Sequence, residues 1–305
     1  MRLIAGIVTY WPHFELLHQL IRILVKSTDG LVIFANSPMT EEARNNLERL
    51  AGSGKIEIVQ SRGNVGLGVA YNYILKRARS LGAKAVFLSD QDSVPLDGTV
   101  DLLAKTVRHL SLKGHRVAVV GPRPIGPRIQ SAEFKNVRLF KRPRNVSSPH
   151  ILAADFVISS GSVVMLDAFE AIGPFREDFF IDGIDIEWCF RAWSKGFSCW
   201  IALDAFMEHR LGRGVLTFPI IGFPVPRQPP SRLYTYVRNQ IHMLGMRHVP
   251  LRWKLKVVPY IGLQAFVYAL RGNPRRLSLV AIGRGMCEGV RRIRAEKHDS
   301  KGRLD

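Results

Sequence analysis

Short β-rich apolar runs alternate with stretches of helical periodicity over the first ninety residues, and this alternation limits the fold more than any other feature. Residues 3–8 are an apolar run, and beyond Pro12 the side chains Phe14, Leu17, Leu20, Ile21 and Leu24 recur at helical spacing. Residues 31–34 read as a second buried strand, 41–50 as a polar helix and 56–59 as a third strand. A helix opens at 64–68 and runs to Ser80, and the apolar run 85–88 enters Asp90 as a fourth strand. Strands joined by helices lie parallel, because a parallel neighbour needs a crossover of about a dozen residues or more. The class predicted is α/β: a mixed, mainly parallel sheet flanked by helices.

The pattern is less regular afterwards. A helix over 100–112 precedes a strand at 117–120, and Pro122, Pro124, Pro127, Pro143 and Pro149 mark a loop-rich insertion. Residues 158–165 read as a strand, 184–194 as a helix ended by Gly196, and 198–202 as a further short strand. The Gly and Pro residues of 211–230 suggest a boundary, after which 232–246, 251–270 and 274–294 read as three helices. Two parts follow: an α/β domain over 1–215 and a basic helical extension over 216–305.

Composition narrows the classes. A chain of 305 residues, 47% hydrophobic and 23% charged, can bury a large core, which excludes disorder, collagen-like repeats and a mini-domain. Of the net charge of +19, residues 210–305 hold +15, from 19 Lys/Arg against 4 Asp/Glu. Such a field attracts phosphates, whether of nucleic acid, lipid head groups or phosphorylated small molecules. Nucleic acid is not expected as a partner, since no helix-turn-helix, RNP or zinc pattern appears. The three cysteines, Cys189, Cys199 and Cys287, include no CxxC pair, so neither a disulfide framework nor a zinc site is implied and a reducing cytosol is the default. The N-terminus reads as a strand rather than a signal peptide. The longest near-apolar stretch, 257–270, is 14 residues and contains Pro259, short of the roughly 20 that span a bilayer.

Several residues could carry chemistry. Asp90 and Asp92 follow an apolar strand; in extended chain positions i and i+2 project to one side, offering two hard oxygen donors where open α/β sheets bind ligands. Two carboxylates with diphosphate oxygens suit Mg²⁺ or Mn²⁺, although a polar turn reads equally from these residues. Asn64, Gly66 and Gly68 could aim backbone N–H groups at an anion or simply form a tight turn. Residues 179–188 pack Asp182, Asp185 and Glu187 among large apolar groups, an environment that suits a general base; an Asp N-cap with a Glu187–Arg191 ion pair is the plainer reading. His209 could complete a metal site or be structural.

Taken in order, these motifs resemble the family 2 glycosyltransferases of GT-A fold, and among them the rhamnosyltransferases. The resemblance rests on Thr9-Tyr10, Asn36-Ser37, the N-x-G-x-x-x-A-x-N series Asn64, Gly66, Ala70 and Asn72, then DQDS at 90–93, SSGS at 159–162, the run from Ile172 to Phe197, His209 and Arg238-Asn239. It spans residues 3–245. It implies that Thr9, Tyr10, Asn36, Asn64, Gly66, Asn72, Asp90, Gln91 and Asp92 face a nucleotide-sugar. It further implies that Asp90, Asp92 and His209 hold Mg²⁺ or Mn²⁺, that Asp185 is the catalytic base, and that Ser160, Gly161, Asp182, Glu187, Trp188, Arg191 and Arg238 shape the acceptor side. Ala35 departs from the pattern, standing where the family has an Asp that recognises the base.

The implied activity is inverting transfer of a sugar, rhamnose from dTDP-rhamnose, to a glycan or polyprenyl-diphosphate-linked acceptor in cell-surface polysaccharide synthesis. A non-catalytic or differently specific binder, with a UDP-sugar as ligand, is the alternative. Membrane-polymerising synthases are similar over the first domain but carry spanning helices and a QxxRW signature, absent here. In the extension, Trp253, Leu255, Val258, Ile261, Phe266 and Leu270 alternate with Arg252, Lys254, Lys256, Arg271, Arg275 and Arg276. Basic amphipathic helices of this kind lie on anionic membranes, here the cytoplasmic face of the plasma membrane; packing on the first domain or on a second subunit, as a homo-oligomer, is the other use of such a face.

Overall fold

The computed structural model describes residues 1–51, 56–125, 139–140, 148–208, 215–216 and 225–301. Two compact units are formed, Met1–Phe180 with Ile184–Arg210 and Ile181–Gly183 with Leu211–Asp305.

The first unit runs β1 (Leu3–Thr9), α1 (Phe14–Ser27), β2 (Gly30–Ala35), α2 (Glu41–Ala51), β3 (Ile56–Gln60), α3 (Leu67–Ser80), β4 (Ala85–Asp90), β5 (Val94–Pro95) and α4 (Thr99–Leu112). It continues with β6 (Val117–Ile125), β7 (Ile151–Ala153), β8 (Ser162–Met165), α5 (Leu166–Ile172), a 3-10 turn at Glu177–Phe179, α6 (Ile184–Ser194) and β9 (Ser198–Glu208). The strands form one mixed sheet of order β3-β2-β1-β4-β8-β6-β9-β5, with β7 on β9. β3, β2, β1 and β4 are mutually parallel, and β8 inserts antiparallel between β4 and β6.

Strand β1 shows why both faces are covered. All seven of its residues are buried. Leu3, Ala5 and Ile7 share a core with Leu17, Leu20, Ile21 and Leu24 of α1 and with Leu103, Val107 and Leu110 of α4. On the other face a methyl at Gly6 would run into Ile74 of α3, so the glycine lets that helix sit against the sheet. Each fully buried Leu or Ile contributes about 1.5–3 kcal/mol relative to exposure, and this double layer fixes the rim where the parallel strands end.

The second unit holds the strand pair β10 (Val215–Leu216) and β11 (Val225–Pro226) and the helices α7 (Pro230–Met243), α8 (Leu251–Arg271) and α9 (Arg275–Lys301). Its own core gathers Val225, Leu233, Val237, Ile241, Val257, Ile261, Val267, Tyr268 and Ile282. Tyr268 ties it together: its hydroxyl donates to the Pro226 carbonyl (2.9 Å) and accepts from the Gln228 N–H (2.8 Å).

Candidate active site

Three parallel strands end together on one rim of the sheet. Thr9 pairs with Ala35, and Val8 with Asp90, so the last residues of β1, β2 and β4 share one level. Ligands of open α/β sheets bind beyond this edge. The Thr9 hydroxyl is buried there with no partner among the described residues. An orphaned buried hydroxyl costs free energy, about 1–3 kcal/mol, and such atoms mark places where another group can bind.

Side-chain amides fix the loops above this edge. Gln91 clasps the Tyr10 backbone, accepting from its N–H (2.6 Å) and donating to its carbonyl (3.0 Å), while Tyr10 itself is half exposed. Asn36 donates to Asn64 Oδ1 (3.0 Å) and accepts from the Val65 N–H (2.9 Å), and Asn64 Oδ1 also accepts from Gly66 N (3.0 Å). These two asparagines bracket the loop that opens α3. Gly66 has φ +86°, and an added Cβ would lie 2.7 Å from the Phe180 ring.

Strand β4 ends at Asp90, and Gln91-Asp92 form a turn closed by the Ser93 N–H on the Asp90 carbonyl (3.3 Å). The strand alternation expected to align Asp90 with Asp92 therefore stops at Asp90, and Asp92 lies in the turn that follows, whose Gln91 is clasped to the Tyr10 backbone. Strand β8 likewise begins at Ser162 rather than 158, because Ser159–Gly161 make a turn in which Gly161 has φ +80°. That turn grips β4: Ser160 Oγ accepts from the Asp90 N–H (2.9 Å), and the Gly161 N–H donates to the Leu88 carbonyl (2.7 Å).

Tyr71 stands at the centre. Its side chain is buried, its ring lies 5.6 Å from that of Phe175, and its hydroxyl donates to Asp90 Oδ1 (3.3 Å). Burial pushes the phenol well above its ordinary pKa, and the carboxylates of Asp90 and Asp185 push it further, with Ser159 opposing. Both carboxylates thus act on one buried oxygen. Asp185 reaches this point from the first turn of α6, where the helix macrodipole favours negative charge, and its Oδ1 accepts from the Ile186 N–H (2.9 Å).

The donor set suits a hard cation that takes the rest of its shell from phosphate and water, since such sites use one or two carboxylates. Among the described residues no three His, Cys, Asp or Glu side chains gather as a complete protein cage, and His209 lies outside them.

Comparison with known proteins bears on this geometry. No family model matches the chain. The dTDP-rhamnosyl transferase RfbF of Shigella flexneri is 27% identical over 265 residues, covering 84% of each chain. Among solved structures, S. aureus TarS 1-349 in complex with UDP-GlcNAc matches 97% of this chain and 83% of its own, with TM-score 0.57 and 14% identity. GalNAc-T7 with UDP, GalNAc and Mn²⁺ matches 84% of this chain and 54% of its own, with TM-score 0.56 and 11% identity. The chain has the GT-A fold of these glycosyltransferases and is similar in sequence to a dTDP-rhamnosyl transferase.

Several residues placed on the acceptor side by resemblance are buried and engaged within the protein. Glu187 is 1% exposed and pairs with Arg191 (2.9 Å), which also donates to the carbonyls of Ile172 and Pro174. Trp188 donates to the Gly173 carbonyl (2.9 Å) and stacks on Phe175. Asn72, which the resemblance places at the nucleotide-sugar, is likewise engaged, clamped to the Phe175 backbone and to Glu177. These side chains hold the backbone around α6 in place. In the second unit Asp182, at φ +63°, takes a forked ion pair from Arg232, and Asn239 donates to the carbonyls of Ile181 and Asp182 (both 2.8 Å) while accepting from Arg238. Tyr71 is the functional candidate the sequence reading omits: it recurs with Ile74, Leu75 and Ala78 on the buried face of α3, so its spacing signals core.

Proposed function

We propose that the enzyme transfers rhamnose from dTDP-rhamnose, with inversion, to a hydroxyl of a glycan or polyprenyl-diphosphate-linked acceptor. The convergence of Asp90 and Asp185 on the Tyr71 hydroxyl carries this reading. In this reading Asp90 faces the diphosphate and Asp185 faces the acceptor hydroxyl. Asp185 takes the hydroxyl proton as the acceptor oxygen bonds to the anomeric carbon and the bond from that carbon to the diphosphate oxygen breaks. Attack from the opposite face inverts the centre, and the nucleoside diphosphate leaves.

Thr9, Tyr10, Asn36 and the 64–66 loop face the nucleotide in this reading. The rhamnosyl donor is supported by the name of the S. flexneri relative, and Ala35 moves base recognition away from a carboxylate. Asp90 and Asp92, with His209, would hold Mg²⁺ or Mn²⁺, in keeping with the Mn²⁺ of the GalNAc-T7 structure. Such an ion, when bound, neutralises charge developing on the departing diphosphate. A polyprenyl-linked acceptor puts the enzyme at the cytoplasmic face of the plasma membrane. No helix among the described residues is long and apolar enough to cross a membrane, so attachment in this reading is to the surface, through the basic C-terminal helices.

The test is Asp185→Asn. Removing a general base lowers kcat by about 10²–10⁴-fold, while donor affinity followed by thermal shift stays within about threefold. Transfer at the normal rate sinks Asp185 as the base. Wild-type protein that binds sugar nucleotides yet neither transfers nor hydrolyses them supports the non-catalytic alternative.

A further inference from the structure

Helix α8 is apolar on two opposite sides, and the second unit's core uses one of them. Val257, Ile261, Val267 and Tyr268 point into that core. On the other side Leu251, Leu255, Val258, Phe266 and Leu270 stand between 41% and 69% exposed. At 3.6 residues per turn the first four fall within an arc of about 80°, with Leu270 just beyond its edge. Exposed Arg252 and Lys256 follow along the same edge, and the 21 residues of α8 include no Asp or Glu.

The structure also revises the anchors expected from sequence. Ile261 is 3% exposed, and Trp253 packs against the core, so neither belongs to the outward face. What remains is a continuous apolar stripe with a cationic border. A second copy of the chain laid on this face would set like charges against each other, and a nucleic acid would leave the apolar stripe uncovered. An anionic bilayer satisfies both parts: the stripe enters the acyl boundary and the border meets head-group phosphates.

We infer that this face of α8 is the membrane-binding surface, with Leu255 and Phe266 seated in the interfacial zone and Arg252 and Lys256 on anionic head groups. The inference rests on the proposed attachment to a membrane and is independent of the donor and of Asp185. The experiment is flotation of the full chain with phosphatidylglycerol–phosphatidylcholine vesicles, alongside the double variants L255Q/F266Q and R252Q/K256Q. Wild type should float with the anionic vesicles and not with phosphatidylcholine alone. Each double variant should lose binding by about tenfold or more, while the melting temperature and sugar-nucleotide hydrolysis match wild type.

If wild type floats and L255Q/F266Q floats equally well, the α8 face is wrong although membrane attachment stands. If wild type does not float, attachment and face fall together, whatever the hydrolysis assay gives. A wild-type dimer that L255Q/F266Q converts to monomer, seen by sedimentation without vesicles, assigns the stripe to self-association and overturns the inference.

Discussion

Tyr71 couples the two carboxylates to which the proposed chemistry is assigned. Its hydroxyl donates to Asp90 and feels the charge of Asp185, and burial with both charges keeps the phenol protonated far above its ordinary range. A hydrogen bond to a charged group contributes about 1.5–3 kcal/mol, so Tyr71→Phe should lower kcat/KM by about ten- to a hundredfold. Because the proposed function puts Asp90 on the donor side, the loss should appear chiefly in the donor KM; an unchanged kcat/KM would remove Tyr71 from the site. The same group gives stability a pH dependence of known sign. Its folded pKa is raised, so its contribution is whole below about pH 10 and is lost as pH climbs toward the folded value. Urea midpoints between pH 9 and about 11 should fall less steeply for Tyr71→Phe than for wild type. Asp90 and Asp92 are legible in the sequence because an acid pair after an apolar strand is a local pattern. Tyr71 is not, because its partners are 19 and 114 positions away and only the fold brings them together.

Elements defined by local periodicity are equally legible. Helix α6 is expected over 184–194 and found there, and β1 to β4 differ from expectation only at their ends. The antiparallel insertion of β8, and the short pieces β5, β7 and α5, escape the sequence because runs of two to seven residues carry too little pattern and take their partners from distant chain. Close helix packing in the second unit escapes it too, since glycines inside a helical stretch look merely unfavourable. In α9 a Cβ at Gly289 would fall 2.6 Å from Ile241 Cβ and 2.8 Å from the Arg238 carbonyl of α7, whereas a Cβ at Gly283 meets nothing within 4 Å. Replacing glycine by alanine inside a helix gains about 0.5–1 kcal/mol when nothing obstructs the methyl. Gly283→Ala should therefore raise the unfolding free energy by that amount, read as a higher urea midpoint at unchanged m. At Gly289 the methyl forces the backbones of α7 and α9 apart, a strain of about 1–3 kcal/mol that outweighs the gain, and the midpoint should fall. Equal shifts of one sign in both variants would contradict this packing.

Charge is a property of the whole molecule, and its distribution is readable from sequence alone: the last third carries +15 of the +19. What sequence does not give is how that charge is divided between lipid-facing and internal work. Part of it is spent inside the second unit, where Arg232 pairs with Asp182, Arg238 binds Asn239, and Arg292 pairs with Glu288. The remainder acts at a distance, and distance makes it sensitive to salt, because the screening length shrinks from about 10 Å at 0.1 M to about 3 Å at 1 M. The apolar stripe of α8 has no such sensitivity. The two contributions can therefore be separated on one protein: raising salt from about 0.05 to 0.5 M should lower partitioning onto anionic vesicles by about tenfold or more and leave sugar-nucleotide hydrolysis unchanged. At the low-salt end L255Q/F266Q should retain weak binding, and its residue should vanish at the high-salt end, where wild type keeps a reduced binding because the stripe and the residual attraction to anionic head groups act together. Binding by wild type that is indifferent to salt would mean that the +15 of the C-terminal third plays no part in attachment, leaving the apolar contact to act alone.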